Sequence, residues 1–67
     1  MLIPSTFVRK LVRENDISRM SPEAVKLLQK TIEDVATRIA SDAAIAAKHA
    51  KRKTILEEDI KLAIGER

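Results

Sequence analysis

From Val25 the apolar side chains recur at Leu28, Ile32, Val35, Ile39, Ala43, Ala46 and Ala50, in steps of three and four. That spacing places them on one face of a single long helix. Its start is marked by Ser21, a good N-cap, by Pro22 at the first helical position, and by Glu23 at the positive helix end. No Gly or Pro interrupts the run before Lys51. A helix of about 28 residues would be about 42 Å long. That exceeds the width of a globule of this chain length, whose radius of gyration should be near ~11 Å. Its apolar face therefore needs a partner.

Shorter periodic segments flank this helix. Upstream, Phe7, Val8, Leu11 and Val12 recur at helical spacing after a candidate cap at Ser5 or Thr6. The pattern predicts a short helix from about Ser5 to Glu14, ended by Asn15–Asp16, whose side chains compete for backbone hydrogen bonds. Downstream of a basic loop from His49 to Lys53, Thr54-Ile55-Leu56-Glu57 has the form of a capping box. Glu57, Glu58 and Asp59 load acids onto the following first turn, Ile60, Ala63 and Ile64 supply an apolar face, and Gly65 is a stop signal. The plan is all-α, short–long–short, in one domain over residues 1–67.

Composition narrows the alternatives. The chain has 67 residues and no Cys, so neither disulfides nor thiolate metal sites can supplement a small core. Oligomerisation is the remaining common remedy. Phe7 is the only aromatic residue, and a single Gly with two Pro excludes a turn-rich β chain. The net charge of +3 fits polyanion binding without requiring it. No stretch is apolar enough to span a membrane, and Met1–Ile3 is too short for a secretion signal, so a soluble intracellular protein is expected. His49 is the only His and lacks companions for a metal site or a nucleophile, and no Gly-rich phosphate loop is present. No enzyme activity, metal, cofactor, small-molecule substrate or membrane partner is expected.

The segment His49-Ala50-Lys51-Arg52-Lys53-Thr54-Ile55, followed by Glu58-Asp59-Ile60 and Leu62-Ala63, resembles the second loop and third helix of archaeal histones. That family usually reads H-A-G-R-K-T-I, then E-D-I and L-A. Pro4, Arg19 before Ser21, and Ala40-Ser41 also match in register, without a gap across essentially the whole chain. The resemblance implies a histone fold and a handshake homodimer, in which two long helices cross head to tail. It further implies non-sequence-specific binding of double-stranded DNA in the nucleoid of a cytoplasm, as an architectural chromatin protein that bends, wraps or bridges DNA.

The residues implied are Arg9, Lys10 and Arg13 on the first helix, Arg19 in the first loop, and Lys51, Arg52, Lys53 and Thr54 in the second. Lys53 and Thr54 suit phosphate contact, and an Arg in the position of Arg19 suits a narrow minor groove. The resemblance also implies a loop-holding pair of Arg52 with Asp59. A contact between dimers would involve Ala46, His49, Asp59 and Leu62 and would give a homotetramer or larger assembly. A histone paralogue is an alternative pairing partner.

Three positions depart from the pattern. Lys51 stands where the family has Gly, Ala46 replaces a bulkier apolar residue, and Asp16 lies near a site that is usually Gly. The last two put continuous superhelical stacking in question, and an Ala-lined surface at Ala43, Ala44, Ala46, Ala47 and Ala50 is an alternative meeting face. A protein-interaction module with weak or no DNA binding is the competing reading. It is favoured by Glu33, Asp34 and Asp42 on the long helix and opposed by Arg19, Arg52, Lys53 and Thr54.

Overall fold

The computed structural model describes residues 2–65. It contains three helices, α1 (Ser5–Arg13), α2 (Pro22–His49) and α3 (Glu57–Ala63), and no strand among the described residues. By its internal contacts the chain divides into two compact units, one ending at Asp34 and the other beginning at Val35.

The first unit holds α1 and the opening turns of α2. Pro4 occupies the N-cap of α1 in an extended conformation (φ −66°, ψ 142°) and makes no side-chain capping bond. The expected cap at Ser5 or Thr6 is thus displaced. The proline ring presets φ immediately before the helix, so the chain turns into α1 at Ser5 and both hydroxyl residues lie inside it. The far end closes as the sequence suggests. The Asn15 side-chain amide donates to the Leu11 carbonyl at 3.0 Å, and Asp16 takes the left-handed conformation at φ 60°. Helical geometry stops at Arg13, with Glu14 as the C-cap. α2 then starts on a true side-chain cap, the Ser21 hydroxyl accepting from the Ala24 N–H at 3.1 Å. Val8 and Val25 form the buried apolar centre of this unit, joined by the buried side chain of Gln29.

The second unit holds the rest of α2, the second loop and α3. Its buried residues are Ala43, Ala47 and Asp59. α2 ends in a Schellman turn: the Arg52 N–H donates to the Ala47 carbonyl and the Lys51 N–H to that of Lys48, both at 2.9 Å. The residue that must be left-handed there is Lys51, at φ 58°. The family's glycine position therefore keeps its backbone shape with a lysine in it. The helix does not run on.

The expected capping box at Thr54–Glu57 is also displaced. α3 begins at Glu57 with Leu56 as its N-cap, and the Leu56 N–H is received by the Asp59 carboxylate at 2.8 Å. Leu56 has no side-chain acceptor to return the bond, so only half of a box exists. Gly65 lies beyond α3 at φ 77°, with its N–H on the Leu62 carbonyl at 3.2 Å.

A single chain buries little. Among the described residues the buried apolar set is Val8, Val25, Ala43 and Ala47, while Leu27, Val35, Ile45, Ile55, Leu62 and others remain exposed. Of the stripe predicted for α2, Val25 and Ala43 are buried, Leu28, Ile32, Ile39 and Ala46 are half-buried, and Val35 and Ala50 are exposed.

Candidate nucleic-acid interface

The second loop is organised around one guanidinium. Arg52 donates from Nη1 to Asp59 Oδ2 at 2.8 Å and from Nη2 to Oδ1 at 3.0 Å, a bidentate pair with the preferred fork geometry. Nη1 also reaches the Thr54 carbonyl at 3.0 Å, and Nη2 reaches Glu58 Oε1 at 3.4 Å. Asp59 is almost fully enclosed, its side chain 4% exposed. Hydrogen bonds from Arg52 first, and then from the Leu56 N–H, hold its carboxyl well below the ordinary range, at about 2. The same bonds to Asp59 raise the Arg52 pKa. The Thr54 carbonyl is thereby held by Arg52, and the Arg52 guanidinium and the Leu56 N–H are both held by Asp59 of α3.

Once Arg52 is turned inward, the other polar members of the loop point out. Lys51, Lys53 and Thr54 are all exposed, and His49 is exposed in the last turn of α2. Lys48 and Lys53 flank a shallow concavity of about 280 Å³ whose wall includes Ala44, Ala47 and Ile55.

The first unit gathers a second set of cations. Arg9 and Arg13 on α1 and Arg19 on the following loop surround a concavity of about 260 Å³, together with the polar residues Thr6 and Ser18. Val12, Ile17 and Met20 complete its lining. Lys10 is exposed on α1 and contributes no lining to this hollow. Lys10 and Arg13 also occupy the last turn of α1, where a cation complements the helix dipole whatever else it does.

Ala46, His49, Asp59 and Leu62, expected at a contact between dimers, line one concavity of about 530 Å³. Asp42, Ile45, Arg52 and Glu58 complete it. Ile45 (55% exposed) and Leu62 (71% exposed) are its large apolar side chains. Sequence reasoning passed over Ile45, which breaks an alanine run with a bulky branched residue; that irregularity was the available signal. It also missed Glu58 as a second partner of Arg52, and Gln29. No cluster of three or more His, Cys, Asp or Glu side chains among the described residues could hold a metal ion, and no described helix is long and apolar enough to cross a membrane.

A short–long–short all-α chain, with a guanidinium–carboxylate clasp between its second loop and third helix, has the architecture of the histone fold. The family model of the core histone domain matches residues 1–65, and the chain belongs to that family. Two similar chains are archaeal histones. This chain is 34% identical over 62 residues to a chain of the archaeal histone HAN1 of Thermococcus zilligii, covering 92% of each. It is 36% identical over 55 residues to probable archaeal histone 3 of Methanocaldococcus jannaschii, covering 82% of each. This is an archaeal histone-fold protein, of a family of structural DNA-binding proteins and not of enzymes.

Proposed function

We propose that this chain acts as a single domain that pairs into a handshake homodimer and bends duplex DNA without reading its sequence, compacting it in the nucleoid. The observation that carries the reading is the inward commitment of Arg52, which fixes the second loop while leaving Lys51, Lys53 and Thr54 facing solvent. Lysines, hydroxyls and backbone amides held in a fixed loop can grip phosphates. Arg9, Lys10 and Arg13 on α1, with Arg19, would supply a second cationic site, and the family resemblance assigns Arg19 to the minor groove. Counterion release then drives binding, and duplex deformability decides where it is strongest.

The exposed apolar residues of the isolated chain support pairing, because their burial requires a second polypeptide. The concavity containing Ala46, His49, Asp59 and Leu62 is the proposed contact between dimers, giving a tetramer, with Ile45 and Leu62 as its apolar anchors. A histone paralogue can replace the second copy within the same dimer.

The test is a salt titration of binding to mixed-sequence duplex DNA for the wild type, Arg19→Ala and Lys53→Ala, with sedimentation of each. The expected result is an intact dimer with weaker binding. The slope of log affinity against log salt should fall by about 1 for each phosphate contact removed. Absence of binding by the wild type at low salt would overturn the reading and leave a histone-fold interaction module.

A further inference from the structure

Gln29 is a polar side chain on the buried face of α2, and it is 8% exposed. The apolar stripe around it runs through Val25, Leu28 and Ile32, where an amide is costly unless its donors are satisfied. Its Nε2 donates to the main-chain carbonyl of Ile3 at 2.7 Å, spanning 26 residues of sequence. That bond ties the segment before α1 to α2.

A second observation gives the tie a purpose. The start of α1 has no side-chain cap, since Pro4 stands at its N-cap position. The local hydrogen bond there is the Val8 N–H on the Pro4 carbonyl, at a long 3.4 Å. Local sequence thus anchors the beginning of this nine-residue helix weakly, and α1 carries Arg9, Lys10 and Arg13. Besides the burial of Val8 within α1, the side-chain tie on the segment before the helix is that of Gln29.

We propose that Gln29 is a positioning residue for the α1 cations. By holding the Ile3 carbonyl it fixes where α1 begins, and so where Arg9, Lys10 and Arg13 stand relative to bound phosphates. The inference rests on the DNA-binding reading above. It adds a residue that touches no DNA and acts through the N-terminal segment.

The experiment uses the full chain and the variant Gln29→Met, which keeps length and flexibility and deletes the donor. Loss of one phosphate contact weakens binding about fivefold at about 0.15 M salt, given a slope of about 0.9 per contact. The expected result for a dimer is a slope lower by about 1 to 2 and an affinity about five- to thirtyfold lower. In a double-mutant cycle, Arg9→Ala and Arg13→Ala should cost less in the Gln29→Met background than in the wild type. A variant that loses thermal stability while keeping the wild-type slope, or whose effects simply add, would show Gln29 to be structural only and overturn the proposal.

A measurement on the wild type covers the case in which Gln29→Met does not fold. The Gln29 side-chain amide protons, followed by NMR, should exchange with water more slowly than those of an exposed glutamine. Free exchange overturns the tie. If the wild type binds no DNA, the function proposed above fails and this positioning role fails with it. Slow amide exchange would then still establish the tie as a structural feature.

Discussion

Replacing Lys51 by glycine should stabilise the protein, by an amount that follows from its backbone. Lys51 sits at φ 58° in the Schellman turn that ends α2. A side chain with a Cβ in that region costs about 1–2 kcal/mol relative to the right-handed conformation. Glycine removes this cost but enlarges the unfolded ensemble, which takes back about 0.4–1 kcal/mol. The net gain centres near 0.8 kcal/mol per chain, or about 1.6 kcal/mol for a dimer. With an unfolding entropy of about 2.1 cal/mol/K per residue, a dimer of two such chains has about 0.28 kcal/mol/K, so the midpoint should rise by about 6 °C. The assay is thermal unfolding by circular dichroism at fixed protomer concentration, since the midpoint of a dimer depends on concentration. Lys51→Ala is the control, because it removes the charge and keeps the Cβ. If Lys51→Gly melts no higher than Lys51→Ala, the left-handed strain is absent and the reasoning is wrong.

The Asp59 carboxyl is held at about 2 in the fold against 3.8 in the open chain. A lowered folded value means that its contribution is fully present above the unfolded pKa and is lost as pH falls through the folded one. Urea unfolding between pH 5 and pH 2 should therefore show stability declining over about pH 4 to 2. Asp59→Asn should be less stable at neutral pH and show a flatter profile in that window; an unchanged slope would mean that another group governs it. Ser21→Ala removes the hydroxyl that accepts from Ala24 at the start of α2 and should cost about 1 kcal/mol by the same unfolding assay. A loss below about 0.3 kcal/mol would mean that water caps this end equally well.

Helix number, order and the start of α2 were legible because each rests on a strong local signal, the 3.6-residue period and the Ser21-Pro22-Glu23 start. Two caps were misplaced because a neighbour overrode the local motif. Pro4 presets its own φ and takes the cap from Ser5 and Thr6. In the second loop the Thr54 carbonyl accepts from Arg52 and the Asp59 carboxylate accepts from the Leu56 N–H, so α3 starts three residues after Thr54. Gln29 was not legible as a tie, since a glutamine in a helical pattern reads as a solvent-facing residue and its acceptor lies 26 positions away. The cationic residues were legible as residue types at matching positions. Their grouping around the first hollow required the loop and α1 to be folded together.

The two left-handed residues separate what a backbone demands from what a side chain adds. Asp16, at φ 60°, follows the end of α1, and Lys51 stands in the turn that ends α2. Glycine meets the conformational requirement at both sites. Aspartate tolerates the left-handed region comparatively well, because its short polar side chain can hydrogen-bond locally. Lysine has no such compensation. Its methylene stem confers no relief, and its exposed ammonium has no ion-pair partner among the described residues. What remains is its charge, set beside the exposed Lys53 in a loop that Arg52 and Asp59 hold in shape. On the proposed DNA-binding reading, a conformational cost carried for a surface cation is a stability–function conflict. Lys51→Gly should therefore raise the melting temperature and weaken DNA binding together; a higher melting temperature with unchanged binding would leave the strain in place and refute a role for the Lys51 charge in holding DNA.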